Sequence, residues 1–200
     1  ILGVLDPAHI GWEHVCEMAE QDGMIAFPIA DKRATSAQIH THLGADWTIQ
    51  SWRTFSGTPD QVLPACTKVT TSVPLPDGCR VTYEERPDET EVNAVQDLNS
   101  RTGVSPNPAY FMRSDMFGVL SACMWDANNA LVATASAADC YHPDSHVAGY
   151  IFAGLVSVAE NSRGRGLGKL VNALVLSESH KRFGWRCATE LAAEDNPVSQ

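Results

Sequence analysis

The sequence predicts an α/β protein, because strand-like and helix-like segments alternate along most of its length. Two apolar segments, Phe117–Trp125 and Leu131–Cys140, flank the turn-forming residues 126–129 and are typical of a β-hairpin. The 13-residue stretch Val147–Ala159 is apolar almost throughout, which is typical of a central strand covered on both faces. A glycine-rich loop and an amphipathic helix that ends at Gly184 follow this stretch.

The first part of the chain predicts two helices and two strands. An apolar face favours a helix over His9–Gln21, and Gly44 ends a second helix over Ala34–Leu43. An apolar run predicts a strand over Met24–Ala30. Alternation of apolar and polar residues predicts another strand over Trp47–Phe55.

The rest of the chain adds further elements around the hairpin and the long strand. Pro87 and the acidic residues after it suit the first turn of a helix. Asn196 precedes Pro197, which suits an N-cap and the first position of a last helix. The other elements are strands over Arg80–Arg86 and Arg186–Ala193 and helices over residues 88–101, 107–116 and 167–183.

A proline-rich segment divides the chain. Residues 58–78 contain four prolines and close with Asp-Gly, a composition that predicts a linker. The predicted organisation is therefore an N-terminal α/β segment over residues 1–57, the linker over residues 58–78, and a second domain over residues 79–200.

Composition and charge exclude several classes of protein. With 44% hydrophobic and 19% charged residues, the chain is neither disordered nor collagen-like, and its longest apolar stretch is too short to cross a membrane as a helix. The net charge of −10 argues against a nucleic-acid partner. The six cysteines form no CxxC pair, so we expect free thiols in a reducing, cytoplasmic setting.

A basic, glycine-rich turn carries the strongest functional signal. Residues 163–186 hold six basic residues against one acid, within an otherwise acidic chain. The turn Arg163–Gly168 follows the long strand and opens a helix, and it fits the pattern [QR]xxGx[GA]. It fits neither a Walker loop, which needs Gly at position 163, nor the dinucleotide fingerprint, which needs Gly at position 169 or 171. Glycines let backbone N–H groups converge on a pyrophosphate at a helix N-terminus.

This strand–loop–helix arrangement resembles the coenzyme A loop of the GNAT acetyltransferase superfamily, and the order of elements over residues 78–200 is similar to that family's. The resemblance implies a mixed, mostly antiparallel sheet flanked by helices, and acetyl-CoA as the acyl donor. It implies that backbone N–H groups near Val156 and Val158 polarise the thioester. The residues that it assigns to cofactor binding are Val156, Val158, Arg163, Gly164, Arg165, Gly166, Leu167, Gly168, Lys169 and Asn196.

The resemblance leaves the catalytic groups open. Some relatives carry a glutamate on the strand before the asparagine; Glu190 lies there but one residue out of register, which would turn its side chain to the other face. His146 lies on a polar loop beside the expected cleft and is a second candidate, for substrate contact or proton relay. The same loop also carries Cys140, His142 and Asp144, but alternate residues on a short loop rarely close a zinc site, so no metal is expected. The family's usual tyrosine acid falls beyond Gln200.

The expected function is direct acetyl transfer from acetyl-CoA to an amine, in a small molecule or a peptide. The alternative is a non-catalytic, coenzyme A-binding regulatory module. We expect no nucleic acid and no membrane as partner, and a homodimer stays open. Residues 1–57 are similar to the rear half of a second, degenerate GNAT copy, with an independent extension as the alternative. We also expect the gene product to extend beyond Gln200.

Overall fold

A computed structural model describes residues 3–194 of the chain. These residues form two compact units. The smaller unit contains the residues before Phe55 together with residues 192–194, and the larger unit is Phe55–Leu191.

The described residues of the smaller unit form three helices. They are α1 (Pro7–Ile10), α2 (Trp12–Asp22) and α3 (Lys32–His42). The Asp31 carboxylate accepts a hydrogen bond from the Ala34 N–H at 2.7 Å and so caps α3. Trp12 stacks on His42 with ring centroids 4.5 Å apart, which joins the start of α2 to the end of α3.

The predicted strand over Met24–Ala30 is wrong. Only Ala26 pairs there, in an isolated bridge with Gly3. Pro28 has no N–H to offer a ladder, and Ile29 has φ of 56°, which extended backbone does not allow.

The larger unit is built on a six-stranded sheet with strand order β1-β6-β5-β4-β3-β2. The pairs β2–β3, β3–β4 and β4–β5 are antiparallel, and β5–β6 is parallel. The strands are β1 (Trp52–Gly57, which begins in the smaller unit), β2 (Arg80–Glu84), β3 (Val119–Trp125), β4 (Leu131–Ala138), β5 (Tyr150–Val158) and β6 (Cys187–Ala193, whose last two residues belong to the smaller unit). The predicted mixed, mostly antiparallel sheet flanked by helices is confirmed.

Helices cover both faces of this sheet. They are α4 (Pro59–Ser72), α5 (Glu89–Arg101), α6 (Ala109–Met112) and α7 (Leu167–Phe183). Met124 of β3 belongs to the core that includes residues of α4 and α7, whereas its neighbour Cys123 packs with α5 residues such as Val95. Successive residues of a strand point to opposite faces, so α4 and α7 lie on one face and α5 on the other. The helix predicted over residues 107–116 is shorter in the structure, where only α6 is helical in this range.

The predicted linker over residues 58–78 is wrong for residues 59–72, which form α4 in the larger unit. Pro59 occupies the first turn, where a missing N–H costs nothing, and Thr58 and Gln61 form a capping box. Pro64 removes one hydrogen bond inside the helix, but burial of Cys66 in the core that contains α7 residues offsets this loss.

A charge at Cys66 tests whether α4 is part of the core. Cys66 is 4% exposed, so Cys66→Asp buries an unpaired carboxylate and should lower the free energy of unfolding by about 3 kcal/mol or more. The matched change Thr67→Asp falls on the exposed face and should cost less than about 1 kcal/mol. Urea denaturation measures both. Equal, small effects would mean that residues 59–72 behave as a linker.

Candidate functional site

The parallel strands β5 and β6 separate part of the way along their length. They pair from Tyr150 with Cys187 to Ala153 with Glu190, and no further pair joins them in the described part of the chain. Because β5 continues to Val158, its last five residues, beginning at Gly154, face an opening in the sheet on the β6 side.

A bulge in β5 explains the separation. Thr134 of β4 pairs with Ser157 and Ser136 pairs with Gly154, so two residues of β5 oppose the single residue between them on β4. Leu155 has φ of 52°, a left-handed conformation that a branched side chain adopts at a cost in strain. A bulge bends and twists its strand, here beginning directly after the last pair with β6.

The glycine turn leaves a row of backbone donors free. Gly164 and Gly166 both have φ of 76°, so glycine at these positions avoids the strain that a Cβ would bring. Gly166 is the N-cap of α7 and supplies no side chain to cap it. In the described part of the chain, the N–H groups of residues 164–169 donate no hydrogen bond of normal geometry to another residue. These free donors and the helix dipole favour an anion.

Close packing fixes this turn against β5. A Cβ on Gly168 would lie 3.4 Å from both Val156 and Val158, so the first turn of α7 lies directly against their side chains. Arg163 Nε donates a hydrogen bond to the Val158 carbonyl oxygen at 3.2 Å, which ties the loop to the end of β5.

The charge of the turn also suits an anion. Arg163, Arg165 and Lys169 are exposed, and none of them has a carboxylate within 4.0 Å among residues 3–194. A coenzyme A pyrophosphate fits this set of free amides and uncompensated cations. The cofactor residues predicted from 156 to 169 therefore lie together; Asn196 lies outside the described residues, and its role stays a prediction.

Glu190 lies where β5 and β6 separate, with its side chain on the α7 face. Asn172 Nδ2 of α7 donates a hydrogen bond to Glu190 Oε1 at 2.7 Å. Burial raises the pKa of the Glu190 carboxyl, and the hydrogen bond from Asn172 partly offsets the rise. Sequence analysis did not single out Asn172, because its partner is distant in sequence. Its Oδ1 is buried without a donor, which costs about 1–3 kcal/mol.

A cavity of about 530 Å³ adjoins this pair. It lies between α4 and α7 above β6 and the end of β1, and sequence analysis missed it because residues 58–78 were interpreted as a linker. The lining residues are Phe55, Ser56, Gly57, Gln61, Val62, Ala65, Cys66, Val69, Lys169, Asn172, Ala173, Leu176, Ala188 and Glu190.

The structure places the second catalytic candidate elsewhere. His146 is exposed and precedes the N-terminal end of β5, whereas the opening begins after Ala153. From Tyr150 to Ala153 the strands are paired, so His146 lies beyond the closed end of the opening. Its predicted catalytic role therefore has no support from this geometry.

The described residues give little support for chemistry at a cysteine or at a metal ion. Burial raises the pKa of Cys140 to about 11, and burial also raises the pKa of Cys66, so both thiols stay protonated at neutral pH. Among residues 3–194 no cluster of three or more His, Cys, Asp or Glu side chains could hold a metal ion. None of the described helices combines the length and the apolar character that crossing a membrane requires.

The solved structures that are similar to this chain include the following three. A tandem GNAT protein from the clavulanic acid biosynthesis pathway aligns with 94% of this chain and 62% of its own, at 18% identity and a TM-score of 0.63. A GCN5-related N-acetyltransferase from Kribbella flavida aligns with 96% of this chain and 68% of its own, at 18% identity and a TM-score of 0.57. A conserved protein of unknown function from Staphylococcus epidermidis aligns with 98% and 74%, at 12% identity and a TM-score of 0.53.

These similarities show that the chain has a GNAT-type fold, as its sequence predicts. The chain spans about three fifths of the length of the tandem GNAT protein. No model of a protein family matches the sequence, and no curated protein matches it. The interpretation of residues 1–57 as part of a second GNAT copy stays a prediction.

The raised pKa of Glu190 predicts a pH dependence of stability. Below its ordinary pKa of 4.5 the carboxyl is protonated in both states, and its stabilising contribution is lost as the pH rises through the higher folded pKa. Glu190→Gln removes this loss. The free energy of unfolding of the variant should therefore rise relative to that of the wild type as the pH increases from about 4.5 to neutrality. Urea unfolding at a series of pH values measures the difference.

Glu178→Gln is the matched control with the opposite sign. Hydrogen bonds from Arg182 and Lys181 lower the pKa of Glu178, so its contribution is present at neutral pH and lost as the pH falls through the lowered pKa. This variant should be less stable than the wild type at neutral pH. The same sign for both variants would contradict the assignment at Glu190.

Proposed function

We propose that the protein is an acetyl-CoA-dependent N-acetyltransferase that moves an acyl group directly to an amine. The observation that carries the proposal is the row of free backbone donors at residues 164–169, beside the unpaired edge of β5. The GNAT-type fold of the described chain supports it.

In this proposal the glycine turn binds the pyrophosphate of acetyl-CoA. The N–H groups of residues 164–169 donate to phosphate oxygens, and Arg163, Arg165 and Lys169 compensate the charge. The edge of β5 after Ala153 offers backbone groups to the amides of the pantetheine arm. An N–H group near Val156 donates to the thioester oxygen and stabilises the negative charge that develops there.

Glu190 is the proposed base. Acetyl-CoA supplies the acyl group: the acyl C–S bond breaks, a C–N bond forms, and an ammonium yields two protons, one to the thiolate and one to the base. Glu190 lies at the closed end of the opening, and its raised pKa brings the carboxyl closer to the range that suits a base at neutral pH. Asn172 holds the carboxylate in place through its hydrogen bond.

Coenzyme A binding tests the loop directly. Gly168→Glu adds a side chain where a Cβ already lies 3.4 Å from Val156 and Val158, and it brings a negative charge beside the phosphates, so binding should be lost. Arg165→Glu should weaken binding by about tenfold or more, because it reverses a charge at the pyrophosphate. Titration calorimetry with coenzyme A measures both variants.

The control for charge reversal is Arg101→Glu, an exposed arginine in the last turn of α5. It should bind coenzyme A as the wild type does. If all three variants bind coenzyme A with wild-type affinity, the site lies elsewhere.

Turnover distinguishes the two catalytic candidates. With acetyl-CoA and a panel of amines, Glu190→Gln should lower kcat by about 10²-fold or more, whereas His146→Ala should change kcat less than twofold. A large loss in His146→Ala alone would reverse the assignment. Coenzyme A binding without turnover on any amine would favour the non-catalytic regulatory module instead.

A further inference from the structure

The cavity between α4 and α7 is separate from the glycine turn, and the proposed cofactor site uses only Lys169 of its lining. Its volume of about 530 Å³ falls in the range of small-molecule sites, which is about 300–1,000 Å³. The cavity lies within the larger unit, because β1 from Phe55 onward, α4, α7 and Glu190 all belong to that unit.

The lining of the cavity is divided between polar and apolar parts. Lys169 and Asn172 lie on the first two turns of α7, and Asn172 is bonded to Glu190, so these three residues share one end. Leu176 lies one turn further along α7. The α4 side presents Val62 and Val69 to the same space, and its polar lining residue Gln61 already accepts a hydrogen bond from the Thr58 N–H at 3.0 Å. A ligand that matches this lining has one polar end and an apolar body.

At the polar end of the cavity, two oxygen atoms that can accept hydrogen bonds have no donor among the described residues. Asn172 Oδ1 is buried and has no hydrogen-bond partner. Glu190 Oε1 accepts from Asn172, and no described donor is bonded to Glu190 Oε2. Lys169, the basic residue of the lining, makes no ion pair with Glu190 within 4.0 Å. A carboxylate beside an unpaired amide oxygen calls for a ligand that carries several N–H donors and a positive charge.

We propose that the cavity between α4 and α7 binds a primary amine with an apolar body, whose ammonium group is held by Glu190 and Asn172. Because Glu190 lies where β5 and β6 separate, the ammonium group lies beside the opening proposed for the thioester. This amine is the acceptor of the transfer, a role that rests on the proposed function; binding of the amine in the cavity does not.

The probe is 4-phenylbutylamine, which is positively charged at neutral pH and carries an apolar body. Its matched control ligand is 4-phenylbutan-1-ol, which lacks the charge. Titration calorimetry of the full chain should detect the amine at millimolar concentrations and the alcohol at least about tenfold more weakly, since only the amine can pair with Glu190. Equal binding of both ligands, or no binding of the amine, overturns the proposal.

Variants locate the binding. Glu190→Gln should weaken binding of the amine by about tenfold and leave binding of the alcohol unchanged. Ala65→Trp should abolish binding of both ligands, because Ala65 is an exposed lining residue of α4 where a large side chain fills the cavity without disturbing the core. Glu178→Gln, on α7 but outside the lining, should bind both ligands as the wild type does. Wild-type affinity in both Glu190→Gln and Ala65→Trp overturns the proposal.

The two proposals fail separately. Gly168→Glu should no longer bind coenzyme A but should still bind the amine. Ala65→Trp should bind coenzyme A but not the amine. Coenzyme A binding without amine binding overturns the cavity proposal alone, and amine binding without coenzyme A binding overturns the proposed function alone. If the wild type binds both, mass spectrometry should detect the N-acetyl product of 4-phenylbutylamine. Its absence overturns the acceptor role.

Discussion

The separation of β5 from β6 after Ala153 and Glu190 is the constraint on which the rest of the site depends. Two parallel strands that stayed paired would use the backbone donors and acceptors of both edges and leave no space for a ligand. The bulge at Leu155 turns β5 away from β6. It also keeps Val156 and Val158 against Gly168, so the opening and the free amides of the glycine turn are adjacent.

The α7 helix connects the two proposed ligand sites. Its N-terminus carries the free amides, and its second turn carries Asn172, which binds the Glu190 carboxylate. The buried core residues Val171 and Val175 hold the helix against the sheet, so both ends of the proposed reaction rest on one rigid element. The strained Leu155 and the unpaired Asn172 oxygen are costs in stability at this site, as is common where a protein binds a ligand.

The sequence predicts much of the sheet and the glycine turn, because hydrophobic periodicity and glycine positions are local signals. Its failures arise where the structure depends on tertiary packing. The prolines of α4 are typical of a linker. The burial of Cys66, which offsets the hydrogen bond lost at Pro64, depends on tertiary packing and leaves no local signal in the sequence. The bulge at Leu155 has no sequence signature beyond Gly154. The Asn172–Glu190 pair joins residues 18 positions apart, and only the folded sheet decides which face Glu190 occupies.

Amide hydrogen exchange with and without coenzyme A tests the central claim most directly, because it reports on individual backbone N–H groups. The amides of residues 164–169 form no hydrogen bond of normal geometry with the described residues and should exchange rapidly when coenzyme A is absent. Coenzyme A should slow their exchange, together with that of Val156, while the amides of the hairpin β3–β4 stay unchanged. Binding of coenzyme A that leaves residues 164–169 in rapid exchange would contradict the account.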